Sequence, residues 1–114
     1  PPPAATSEGP CALLDAQHPD ALALAARAEK ADPACLLNGY AWEAMLPELL
    51  SRAGRPDLLR GLSTDPEAGA LVLSYRGRGA SSRAAELASL LNALVASGEE
   101  VLALVRSGKV DWDE

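Results

Sequence analysis

His18 is the only histidine in this chain of 114 residues, so it is the first candidate for acid–base or metal chemistry. A metal site needs several ligands, and no Ser or Cys adjoins His18 to form a nucleophilic pair. Pro19 and Asp20 follow it, and a proline at the first helical position with an acid in the first turn is typical of a helix start. We therefore interpret His18 as a helix-start residue and predict no metal, no cofactor and no enzymatic activity.

Asp65 and Glu67 form a pair of carboxylates with a spacing that acid–base or metal chemistry can use. They lie in the segment Asp65-Pro66-Glu67-Ala68-Gly69. Pro66 favours a type I turn after Asp65, and Gly69 can supply a positive φ that closes the loop. The turn accounts for these residues without a reaction, so the segment predicts a β-hairpin.

The segment from Arg76 to Arg83 combines three arginines with two glycines just before a predicted helix. Free N–H groups at a helix N-terminus favour anions. The segment lacks the Gly-Lys-Ser/Thr ending of a P-loop and the spacing of a dinucleotide fingerprint. We interpret it as a solvated connector, and an anion- or nucleotide-binding small domain that uses residues 76–83 remains the alternative function.

The composition is that of a folded protein with an acidic surface. It is 48% hydrophobic and 23% charged, lacks Phe, and has a formal net charge of −6. Phosphate neutralisation needs clustered Lys and Arg, so nucleic acid and anionic membranes are disfavoured as partners, whereas a basic protein is favoured. Every apolar run is too short for a membrane span. Cys11 and Cys35 match no zinc or redox spacing, and a disulfide between them is left open.

Hydrophobic spacing and turn residues predict the order strand, helix, helix, strand, strand, helix, helix. Pro47 interrupts the second helix and predicts either a kink or the start of a separate helix. Ser81 or Ser82 is the expected cap of the third helix, and Ser97 with Glu100 forms the pattern of a capping box before the fourth. The strands are predicted at residues 11–15, 62–64 and 70–75, and the apolar residues of the four helices fall within 21–31, 42–53, 87–95 and 101–105.

This order predicts an α+β fold in which a small antiparallel sheet, made of the hairpin and an N-terminal strand, has about four helices packed on one face. Residues 1–10 are expected to be a flexible lead-in, and residues 11–114 to form a single domain. Because the sequence begins with Pro1 in place of Met, an accessory interaction domain of a longer chain is a further alternative.

Several of these segments together resemble a known family. They are Asn38-Gly39-Tyr40-Ala41-Trp42-Glu43, the Asp65–Gly69 hairpin with its following strand, the Leu-rich helix from Ala84 to Val95, and the late Asp111-Trp112-Asp113. The pattern resembles the immunity protein 51 family of bacterial polymorphic toxin systems, and the resemblance extends from about Leu36 to the C-terminus.

The resemblance implies a cytoplasmic protein that neutralises a cognate toxin by binding it and covering or distorting its active site. An acidic inhibitor suits a toxin with a basic cleft, such as a nuclease. On this hypothesis exposed acidic residues dominate the interface, and Trp112 either tucks back onto the domain or anchors the partner. The predicted partner-binding residues are Glu43, Asp65, Glu67, Asp111, Trp112, Asp113 and Glu114.

Overall fold

The computed structural model describes residues 11–108 and contains one antiparallel sheet there. Its strands are β1 (Cys11–Asp15), β2 (Ser63–Pro66) and β3 (Ala70–Ser74). They lie in the order β1-β3-β2, so the hairpin supplies β2 and β3 while β1 pairs with the other side of β3. The predicted sheet is thereby confirmed.

The helices cover one face of this sheet. They are α1 (Pro19–Ala31), α2 (Gly39–Arg52), α3 (Ala80–Ser97) and α4 (Glu99–Ser107), with a 3-10 turn over Pro56–Leu59. Helices α2 and α3 contact the strands, whereas α1 and α4 pack mainly against other helices. The α+β prediction with about four helices on one face is confirmed.

Alternation along the strands separates the core from the solvent. Ala12, Leu14, Leu71 and Leu73 are buried beneath the helices, while the residues between them point away from the helices. Trp42 is fully buried, as its position on the apolar stripe of α2 predicts, and within residues 11–108 its Nε1 has no hydrogen-bond partner.

His18 occupies the N-cap of α1, and its Nδ1 accepts the backbone N–H of Asp20 at 3.1 Å. This confirms His18 as a helix-start residue. Cys35 is a free, buried thiol, so no disulfide joins it to Cys11. Burial, together with the charge of Asp32, raises the pKa of Cys35 to about 11.

Three local predictions are wrong or incomplete at helix ends and at the hairpin turn. Gly69 does not adopt a positive φ, and the turn closes through the N–H of Glu67, which donates to the Ala70 carbonyl at 2.8 Å. Helix α3 begins at Ala80 behind Gly79, which has φ +79°, and neither predicted serine caps it. Gly98, with φ +71°, separates α3 from α4 and takes the cap position predicted for Ser97.

Helix α2 runs from Gly39 to Arg52 as one element through Pro47, so of the two alternatives at Pro47 the separate helix does not occur. Between residues 11 and 108 no single helix is long and apolar enough to cross a membrane, and only the pair α3 and α4, bent by 77°, reaches that length and composition. The predicted lead-in over residues 1–10 lies outside the described residues.

Candidate functional site

The sheet face opposite the helices carries an apolar row beside carboxylates. The register places Leu13 opposite Val72 and Val72 opposite Asp65, so one row crosses all three strands. Leu13 is 66% exposed, and Val72 is half-buried. An exposed leucine in the middle of the edge strand β1, beside a valine on the central strand, is an apolar contact point that no helix of the described chain covers.

One carboxylate ends this row, a second lies at the end of β1, and a third lies in the adjoining turn. Asp15 ends β1 opposite Ala70, Asp65 lies on the edge strand β2, and Glu67 follows in the hairpin turn. All three acids are exposed. The outward positions of the strands contain no Lys or Arg. We call this surface the acidic open face, and it consists of Leu13, Asp15, Asp65, Glu67 and Val72.

The start of α2 holds the hairpin in place behind this face. The Cα of Gly39 lies so close to the carbonyl oxygens of Glu67 and Ala70 that a Cβ there would overlap both. One helical turn later, Glu43 Oε2 accepts the hydroxyl of Thr64 at 2.5 Å. Two of the four sequence segments that carry the family resemblance are thus in direct contact.

The predicted partner-binding residues fall into different places. Asp65 and Glu67 belong to the acidic open face, whereas Glu43 is half-buried on the helix side of the sheet, where it binds Thr64. Glu43 therefore positions the hairpin in this structure. The other predicted residues lie outside residues 11–108, and they are Asp111, Trp112, Asp113 and Glu114.

Sequence reasoning did not select three apolar or aromatic residues that are exposed or half-buried in this structure. Leu13 and Val72 lie on the acidic open face, and Tyr40 is 55% exposed immediately after Gly39. The alternation of strands β1 and β3 already assigns Leu13 and Val72 to outward positions. Placing these two residues next to each other requires the pairing register of β1 with β3, which the sequence alone does not provide.

Arg55, beside the 3-10 turn, is neutralised by two acids. Arg55 reaches Asp57 at 3.1 Å and Glu86 at 2.6 Å. The hydrogen bonds from Arg55 hold the pKa of the Asp57 carboxyl below its usual value. Arg55 therefore adds no net positive charge to its surroundings.

Arg83, the last arginine of the 76–83 segment, is already engaged. It donates to the carbonyl of Asp57 at 2.6 Å, and its guanidinium lies 4.4 Å from the centre of the Tyr75 ring. The Tyr75 hydroxyl donates to the carbonyl of Leu58 at 2.6 Å, and burial raises the pKa of Tyr75. Of the three arginines in this segment, only Arg76 and Arg78 are exposed.

Among residues 11–108, no group of three or more His, Cys, Asp or Glu side chains is arranged to hold a metal ion. Comparison with known proteins gave no matching family model, no matching curated protein and no matching solved structure.

Proposed function

We propose that this chain is an immunity-type protein that binds and neutralises a bacterial toxin through the acidic open face. The observation that carries the proposal is the row from Leu13 through Val72 to Asp65, with Asp15 and Glu67 beside it and no basic residue on the outward strand positions. The sequence resemblance described above supports the same function.

The partner that fits this face is a protein with a basic surface and an apolar side chain at its centre. Leu13 and Val72 pack against the apolar side chain of the partner and exclude water from the centre of the interface. The carboxylates around them pair with Lys or Arg of the partner. A toxin that acts on nucleic acid presents such a basic surface around its substrate cleft. Inhibition then follows from occupation of that cleft, and the chain performs no reaction itself.

Rigidity of the hairpin favours tight binding, because less conformational freedom is lost on association. The contact of Gly39 with the turn carbonyls and the bond between Glu43 and Thr64 fix β2 against α2. Exposed charges act mainly on the rate of association, so added salt should slow association more than it speeds dissociation.

The test begins with co-purification of the tagged chain from its source lysate at low salt, read by native mass spectrometry. We expect a stoichiometric complex with a small basic protein whose expression alone arrests growth, and co-expression of the chain should restore growth. The variant Asp15→Asn/Asp65→Asn/Glu67→Gln should lose the complex, whereas Glu99→Gln/Glu100→Gln on α4 should retain it.

A complex that survives the triple neutralisation would contradict the assignment to the acidic open face. Recovery of the chain alone, combined with a rise in melting temperature in millimolar inorganic phosphate that Arg76→Gln/Arg78→Gln abolishes, would instead favour the anion-binding alternative.

A further inference from the structure

A cavity of about 400 Å³ lies between the end of β1, the start of α1 and the second half of α3. An engineered cavity of about 150 Å³ holds benzene, and ligand pockets run from about 300 Å³ upward. The cavity is therefore large enough for an organic molecule of about ten to fifteen non-hydrogen atoms.

The floor of this cavity is apolar. Its carbon-rich surface favours an aliphatic or aromatic group, because such a group leaves water on entering. Its apolar lining consists of the buried Leu14, Ala21 and Leu91, the half-buried Val95 and the exposed Ala96.

The rim is polar and negatively charged. Asp15 and Asp20 line it together with His18 and Asn92, and no Lys or Arg is present among the lining residues. His18 Nδ1 accepts the backbone N–H of Asp20, so this nitrogen carries no proton in that arrangement. The N-terminus of α1 contributes about half a positive charge, which two carboxylates outweigh.

We propose that this cavity is a binding site for a small organic amine, with the ammonium group at the Asp15 and Asp20 carboxylates and the apolar part on the floor. The site is separate from the toxin-binding function proposed above, although Asp15 belongs to both surfaces.

The role of charge is tested with three probes of nearly equal size that differ in their end group. They are 4-phenylbutylamine, 4-phenylbutanol and 4-phenylbutanoate. Binding is followed by NMR at about pH 8, where an ordinary imidazole is neutral. We expect the amine to bind about five- to tenfold more tightly than the alcohol, and the carboxylate to bind most weakly. Shifted methyl signals should include those of Leu91 and Val95.

Variants locate the site. Asp15→Asn and Asp20→Asn should each weaken amine binding about two- to fivefold, and the double variant should bind the amine no better than the alcohol. Ala96→Trp should block all three probes, because Ala96 lines the cavity on an exposed part of α3. The matched controls Asp65→Asn and Ala93→Trp change exposed residues that do not line the cavity, and should leave binding unchanged.

Equal affinity for the amine and the alcohol would overturn the proposal, as would amine binding that persists in folded Ala96→Trp. Circular dichroism and the melting temperature establish that each variant is folded. Toxin binding that survives Asp65→Asn/Glu67→Gln, in a chain that still binds the amine, would reject only the proposed function, since these substitutions alter the acidic open face and leave the cavity intact.

Discussion

Gly39 lies directly against the carbonyl oxygen of Glu67, so the first turn of α2 and the hairpin turn share a backbone contact. The Ala70 carbonyl makes the same close approach. A side chain at position 39 has no flexible neighbour to displace, because both obstructing atoms belong to the backbone. This contact fixes the distance between α2 and the sheet at the end that carries the proposed binding face.

The first prediction concerns this contact. Gly39→Ala should lower the free energy of unfolding by about 1–3 kcal/mol, because the added methyl group forces α2 away from the hairpin. Gly69→Ala is the matched control. Its methyl group would meet only the flexible side chain of Gln17, at 3.1 Å, and Gly69 has no positive φ. Urea denaturation measures both variants, and equal effects would contradict a special role for Gly39.

The second prediction concerns the hydroxyl of Tyr75. Tyr75→Phe leaves the carbonyl of Leu58 without the bond that it accepts at 2.6 Å, in a buried environment. We expect a loss of about 1–3 kcal/mol in the free energy of unfolding. Tyr40→Phe removes a hydroxyl from a side chain that is 55% exposed, and should change stability by less than about 0.5 kcal/mol. A stability loss in Tyr40→Phe as large as in Tyr75→Phe would contradict this assignment.

The sequence predicted the elements and the helix-covered sheet because their signals are local and strong. The apolar stripe of α2, the Asp65–Gly69 turn segment and the alternation along β3 each depend on neighbouring residues alone. Helix ends were harder to predict. Gly79 and Gly98 adopt a positive φ and take the N-cap positions of α3 and α4, for which nearby serines are also suitable residues.

The candidate surfaces were harder still to predict, because they combine residues that are distant in the sequence. Leu13 and Asp65 share a row only through the pairing of β1 and β2 with β3. The exposed acids Asp65 and Glu67 were recognised from their types, whereas the bond between Glu43 and Thr64 spans 21 residues and depends on tertiary packing. No local pattern distinguishes such a half-buried glutamate from an exposed one.

The third prediction concerns Pro47, which lies inside α2 without ending it. Proline lacks the N–H that would bond the carbonyl of Glu43, four residues earlier. Alanine restores this hydrogen bond, although it also makes the unfolded chain more flexible, which offsets part of the gain. We therefore expect Pro47→Ala to raise the free energy of unfolding by a net amount of about 1–3 kcal/mol. Ala44→Gly, at an exposed position of the same helix, should instead lower it by about 1 kcal/mol. Destabilisation by Pro47→Ala would mean that α2 depends on the proline ring.

The fourth prediction is a loss of stability at alkaline pH that depends on Cys35. Burial raises the pKa of this thiol from 9.0 to about 11 in the folded chain. Because the folded-state pKa is the higher one, the stabilisation is fully present below about pH 9 and disappears as the pH rises through about 11. The expected loss attributable to Cys35 is about 2–3 kcal/mol, and Tyr75, whose pKa is also raised, adds a loss of the same sign.

Urea denaturation between about pH 7 and 11 measures this effect. Cys35→Ala should lower the free energy of unfolding at neutral pH, because it leaves a small cavity. The same variant should reduce the loss of stability between about pH 7 and 11 by the amount attributed to Cys35, about 2–3 kcal/mol. Cys11→Ala, at an exposed position, should keep the full decline. If stability declined equally in the unsubstituted chain, in Cys35→Ala and in Cys11→Ala, groups other than the buried thiol would control alkaline unfolding.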